Sequence, residues 1–237
     1  MKLGIMQPYF FPYVGYFSLI KHTDRWIVFD EVQFIRHGWI ERNRILKPVE
    51  GWQYISVPLK KHRRDIKIKH IEIRRDEDWK NKILRQVEHY GKAPYYSPTV
   101  ELINESLNIE TDNIVALNVR IIKTICSYLS VSFNYDIFSE MNLEIEPVRH
   151  AGEWALNISK SLKATEYTNP IGGREIFDPQ QFEDAEINLV FSKNNLPSYD
   201  QRREKFEAGL SIIDAMMFNT PEQINAMIDD VEYINPL

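Results

Sequence analysis

Hydrophobic positions along the chain predict strands first. "KLGIM" runs apolar up to Gln7 and stops at Pro8, predicting a first strand. "WIVF", Trp26 to Phe29, is apolar without alternation, the pattern of a strand covered on both faces of a parallel sheet. "INLVFS", residues 187–192, predicts another buried strand. "SFNYDIF" and "TEYTNP" predict two more, the second running into the loop "NPIGGREIF". Alternation appears in "WQYISVPLK", where Ile55, Val57 and Leu59 interleave with Tyr54, Ser56 and Pro58, so a half-buried strand ends at an edge. After "KKHRRD", the segment "IKIKHIEI" alternates again, with a phase slip at His70–Ile71 that suggests a bulge. Together these predict an antiparallel hairpin insertion over about 52–74.

A helical period takes over in between. Trp79, Ile83, Val87 and Tyr90 share one face, and Gly91 closes that helix. Ile114, Leu117, Ile121, Ile125 and Leu129 predict a well-buried helix beginning near Thr111. Ala151, Trp154, Ile158 and Leu162 predict another over roughly 148–162. Thr220, Pro221 and Gln223 form a capping box with proline at the first helical position. The order of elements predicts an α/β fold over 1–237: a Rossmann-like open, mainly parallel sheet flanked by helices, carrying the inserted hairpin, in one domain.

"MQPYFFPYVGYFSLI", Met6 to Ile20, fits neither period. It holds two prolines, a glycine, three tyrosines and a glutamine, and only its end, "GYFSLIKH", reads as a helix. If the first strand ends near Gln7, residues from Pro8 to Gly15 form the first loop at the carboxyl edge of the sheet, where open α/β sheets bind ligands.

Composition narrows the partners. The 237 residues carry a net charge of −5, which disfavours a global grip on nucleic acid or an anionic membrane. No window approaches a membrane span, and no cleavable leader is evident, so a cytoplasmic protein is expected. The single cysteine, Cys126, excludes an internal disulfide and a cysteine-built zinc site, and its run "IIKTICSYL" predicts a buried thiol. The six histidines are scattered, and neither H-E-x-x-H nor G-x-S-x-G occurs, so no metal is expected and hydrolase readings gain little.

Candidate chemistry follows from position. Tyr9, Tyr13 and Tyr16 offer stacking faces and hydroxyls, or else plug the core; Gln7 and Gly15 belong to the same loop. Asp30 ends the second strand and is the catalytic candidate: a carboxylate there can bind a sugar hydroxyl, orient a nucleophile or act as a base, or else cap a turn, with Gln33 as companion. Arg42, Asn43 and Arg44 suit phosphate, carboxylate or amide recognition, or a salt-bridged loop. Gly172 and Gly173 present backbone amides able to face an oxyanion, without a P-loop lysine. "KKHRRDIKIKH" reads as a solvated basic turn, and Asp214, inside an apolar helical run, needs a partner.

Taken together, "MQPYFFPYVGYFSLI", "DEVQF", "RN", "YGKAPYY", "GG" and "SYDQ…F…LSIIDAMMFN" resemble the WbqC-like family over nearly the whole chain. The resemblance highlights Gln7, Pro8, Tyr9, Pro12, Gly15, Tyr16, Asp30, Arg42, Asn43, Tyr90, Tyr199, Gln201, Ser211 and Asp214. It implies a role in clusters that build bacterial O-antigen and related surface polysaccharides, with transfer of glycine onto an amino sugar as one proposed activity. A small-molecule sugar or nucleotide-sugar substrate and a nucleotide or activated acyl donor are the implied ligands. Ile171 or Gly172 stands where the family's loop usually has serine. A fainter likeness to HIGH-type nucleotidylyl transferases places Tyr13 and Tyr16 where those enzymes have paired histidines, which makes a nucleotide-binding relative of that class one alternative; a non-catalytic module that holds a sugar nucleotide or a partner is the other.

Overall fold

A computed structural model describes residues 1–236. Five strands run parallel: β1 (Lys2–Met6), β2 (Arg25–Val28), β5 (Tyr135–Ile137), β6 (Glu166–Pro170) and β7 (Asn188–Asn194). β8 (Val231–Ile234) closes one edge antiparallel to β7. The order is β5-β2-β1-β6-β7-β8, so the chain moves outward from β1 in one direction, then returns to β6 on its other side. That reversal between β1 and β6 is a topological switch point, and the loops leaving the carboxyl ends of these strands surround it.

The apolar run "WIVF" behaves as its pattern dictates. Trp26, Ile27 and Val28 are all buried, with Trp26 and Val28 on one face of the sheet and Ile27 on the other. Trp26 lies so close to β1 that a Cβ at Gly4 would be 2.8 Å from its ring. One face is covered by α1 (Val14–Lys21), α3 (Tyr96–Leu107), α4 (Ile114–Tyr128), α7 (Ile212–Phe218) and α8 (Pro221–Asp229), and the larger core also reaches α2 (Trp79–Val87). α5 (Ala151–Ser161) and α6 (Pro179–Asp184) cover the other. The α8 capping box forms as its sequence requires: Thr220 Oγ1 accepts from Gln223 N, and Gln223 Oε1 accepts from Thr220 N. No helix among the described residues is long and apolar enough to cross a membrane.

The hairpin is a separate two-stranded sheet, and its partner strand differs from the expectation. β4 (Trp52–Ser56) pairs with β3 (Arg42–Leu46), which precedes it, with Arg44 opposite Tyr54. Residues 57–74 add no strand. Leu59 and Ile73 form a single bridge, and the phase slip at His70–Ile71 is a 3-10 turn over Ile68–His70, not a bulge. Burial of Ile68, Ile71 and Ile73 selects that turn, because it brings all three apolar side chains inward.

Candidate functional site

The irregular stretch after β1 is held by its carbonyls. Buried polar backbone needs partners, and this loop finds them in distant side chains. Tyr16 Oη donates to Gln7 O at 2.9 Å, and Asn118 Nδ2 donates to Pro8 O at 2.8 Å. Asn43 Nδ2 bridges Phe10 O at 3.0 Å and Phe11 O at 2.9 Å. Ser211 Oγ donates to Phe11 O at 2.8 Å, and Ile212 N to Pro12 O at 2.9 Å. These ties hold Phe11 at φ +41°, a left-handed conformation that a bulky residue adopts only when its surroundings impose it.

With Phe10 and Phe11 fixed inward, Tyr9, Pro12 and Tyr13 face a pocket of about 230 Å³ completed by Trp39, Asn43, Arg44 and Gly209. This is smaller than a drug-sized site, and its size suits one sugar ring or an amino acid. Burial raises the pKa of Tyr9 and Tyr13, so both phenols are neutral donors at neutral pH. Tyr13 leans across the first turn of α1: a Cβ at Gly15 would lie 2.9 Å from its Cζ, so the glycine makes room for that wall. Arg44 supplies the cation. Its guanidinium carbon lies 5.4 Å from the Trp39 ring centre and 5.2 Å from that of Trp52, and Nη2 donates to Gly209 O at 2.9 Å.

Five of the residues singled out in the sequence, Tyr9, Pro12, Tyr13, Asn43 and Arg44, therefore meet here. Trp39 and Gly209 were missed; the only signals were an aromatic beside a loop glycine and a glycine just ahead of an apolar helix. Tyr16 departs from the expected stacking wall. It is only 2% exposed, its ring packs 5.1 Å from Trp26, and it offers no face to a ligand. Asn43 spends its polar atoms on the chain, since Oδ1 also accepts from Arg44 N at 2.8 Å. Arg42 stacks 3.8 Å above Tyr54 on the outer face of the hairpin.

The remaining candidates lie elsewhere. Asp30 lies two residues past the end of β2, but it is 1% exposed, and its two oxygens accept from Ser139 N at 3.1 Å and Ser139 Oγ at 2.6 Å. It anchors the turn Phe138–Glu140 and does not line the pocket. Gln33 Nε2 donates to Arg64 O. Gly172 and Gly173 lie in a 3-10 turn over Ile171–Ile176, and a Cβ at Gly173 would collide with the Asn169 side chain, whereas Gly172 is unencumbered. Tyr199 and Gln201 turn to Asp214. Tyr199 Oη donates at 2.6 Å and Gln201 Nε2 at 2.8 Å to Asp214 Oδ2, while Tyr90 Oη donates at 2.8 Å to Oδ1. Burial raises the Asp214 pKa despite these donors. This cluster ties α7 to the loop ahead of it and to β3, because Tyr90 Oη also accepts from Leu46 N at 2.8 Å.

The chain is 31% identical over 222 residues to an uncharacterized protein of Mycobacterium tuberculosis, Rv1507c, covering 92% of this chain and 93% of the relative. No solved structure matches it. The WbqC-like protein family model matches residues 7–226, from the loop that walls the pocket to the last helix. With this loop, its clamps and the Asp214 cluster all inside the matched span, the chain belongs to the WbqC-like protein family.

Proposed function

We propose that the pocket holds an amino sugar as acceptor for acyl or aminoacyl transfer, in the synthesis of surface-polysaccharide precursors. Family membership supports the coarser part of this reading, a role associated with polysaccharide gene clusters. The observation that carries the finer part is the convergence of Tyr9, Tyr13 and Trp39 with one cation, Arg44, in a pocket of about 230 Å³. Aromatic faces pack against the C–H faces of a pyranose, neutral phenols hydrogen-bond its hydroxyls, and the guanidinium takes an anionic neighbour.

In the reaction, the acceptor nitrogen attacks the acyl carbonyl carbon, the bond to the donor's leaving group breaks, and the nitrogen loses a proton. Holding the two groups in register supplies much of the rate for such a step. Asp30 enters this reading as a positioning carboxylate that fixes the Phe138–Glu140 turn, since Ser139 occupies both of its oxygens. Nucleotidylyl transfer is the second reading, favoured by the doubly wound strand order. The geometry supports it less: of the two positions expected to bind phosphate, Tyr16 is buried and Tyr13 is a neutral phenol.

The test is thermal shift with amino sugars, ATP and CTP, followed by mass-spectrometric detection of N-acylated product with a panel of acyl and aminoacyl donors. Ligand at about 100 times its Kd adds about 2.7 kcal/mol, roughly 5–11 °C in Tm for a chain of this size. Arg44→Ala and Tyr13→Ala are expected to abolish the shift with amino sugars. A response to ATP or CTP alone refutes the acceptor reading.

A further inference from the structure

Outside the pocket, the β3–β4 hairpin has an unusual outer face. Alternation along β3 puts Arg42 and Arg44 on the same side; across the strands Arg44 faces Tyr54 and Arg42 faces Ser56, and Trp52, two residues before Tyr54 and opposite Leu46, shares that side. The side chains form one continuous stack. Arg42 lies 3.8 Å over Tyr54, Tyr54 is 5.0 Å from Trp52, and Arg44 sits between Trp52 and Trp39, which already walls the pocket. Trp39 and Trp52 remain 38% and 36% exposed. Neither arginine forms an ion pair among the described residues, and the Nε of each is buried without a hydrogen-bond partner. Arg42 Nη2 donates to His37 O and its charge acts on Glu41, and Arg44 Nη2 donates to Gly209 O, so both guanidinium groups are held in place while neither is directly paired with a carboxylate among the described residues.

We propose that this face is a diphosphate-and-base subsite continuous with the pocket, so that the sugar enters as a nucleoside diphosphate sugar. The inference rests on the sugar-pocket reading above and names its substrate class. Two residues along a strand span about 7 Å, a spacing that lets two guanidinium groups bracket a pair of linked phosphoryl groups. Each guanidinium is pre-oriented by the ring beneath it, which suits forked contacts to phosphate oxygens. Arg44, shared by pocket and stack, places the sugar-proximal phosphate. Trp52 lies beside Arg44, at the end of the hairpin away from Arg42, so the base folds back over the diphosphate onto its exposed flank, where an aromatic face stacks any base with little selectivity.

Calorimetric titration of the full chain with UDP, CDP, ADP and GDP, with the matching monophosphates, and with free glucosamine tests this directly. At least one diphosphate is expected to bind about tenfold or more tighter than its monophosphate. Arg42→Gln is expected to weaken that diphosphate about tenfold or more and to leave glucosamine affinity unchanged. Arg42→Lys should rescue only in part, because it keeps the charge and loses the stacked fork. Trp52→Ala provides an independent variant should Arg42→Gln fail to fold, and it should weaken diphosphate and monophosphate alike. Absence of binding by all four diphosphates, equal affinity for diphosphate and monophosphate, or wild-type diphosphate affinity in folded Arg42→Gln overturns the subsite. Arg42-dependent diphosphate binding without glucosamine binding sustains the subsite and removes the amino-sugar pocket instead.

Discussion

Removal of the Asp214 carboxylate gives the sharpest test of how the candidate site is held up. Asp214→Ala strips the acceptor from Tyr90 Oη, Tyr199 Oη and one Gln201 N–H. A buried donor left unpaired costs about 1–3 kcal/mol. Three such donors set a lower bound near 3 kcal/mol, a large share of the roughly 5–15 kcal/mol that holds a domain folded. The corresponding loss in Tm is about 6–12 °C, read by urea titration and by thermal melting. The ranking of the tyrosines is equally specific. Tyr90→Phe orphans the Leu46 N–H as well as a carboxylate bond, so it should cost about 2–4 kcal/mol, against about 1–2 kcal/mol for Tyr199→Phe. Asp214→Asn keeps one acceptor oxygen for Tyr199 and Gln201 and should fall between wild type and alanine. The pH dependence has a definite sign. The folded state holds the Asp214 proton more tightly than the unfolded chain, so stability declines as pH rises from about 3.8 through the raised folded value. Asp214→Asn should flatten that decline. A loss below about 1 kcal/mol in Asp214→Ala, or a Tyr199→Phe cost exceeding that of Tyr90→Phe, refutes the reasoning.

Four further outcomes follow from single contacts. Asn43→Ala frees Phe10 O, Phe11 O and Arg44 N together and should cost about 2–3 kcal/mol, with hydrogen exchange accelerating in residues 8–13. Gly15→Ala forces the Tyr13 ring aside and should weaken pocket ligands more than it lowers Tm, a split seen by comparing calorimetry with melting. Cys126 is buried and its pKa is pushed up to about 12 by burial, so a thiol reagent should label it only at the rate of unfolding. Burial raises the Glu41 pKa above 4.5, so its contribution to stability is greatest below that pH and diminishes as pH rises through the folded value; Glu41→Gln should remove that component from a pH–stability curve.

The parallel sheet was legible because strands buried on both faces read as apolar runs, and β2 and β7 do so plainly. Helices with a full apolar stripe, such as α2 and α4, were equally plain. β3 was not legible: one face of "RNRIL" is an arginine stack and the other opens on Asn43, so no apolar alternation survives. The hairpin was consequently paired with the wrong segment. α3 was hidden by Pro98 in its first turn, a position where proline is tolerated. At the site, residue types announced themselves but directions did not. Tyr9, Tyr13 and Tyr16 look equivalent in the sequence, and only the helix phase of α1 turns Tyr16 into the core. Asp30 follows the carboxyl end of β2 by two residues, close to the expected place, yet its partner Ser139 lies 109 residues away and left no local trace.

The clamps on the loop after β1 have a consequence for how the molecule comes into being. One wall of the pocket, Tyr9, Pro12 and Tyr13, lies within the first 13 residues, but the hydroxyl that helps to pin Phe11 belongs to Ser211, 200 residues later. During synthesis the loop therefore leaves the ribosome long before its last fasteners: Asn43 can reach Phe11 O early, but the ties from Ser211 and Ile212 are missing until α7 docks. Ligand binding is thus an end-of-line signal: a nascent chain stalled before Ser211 should carry the sequence of the pocket wall without the pocket, and the first molecule able to bind is one that has finished folding.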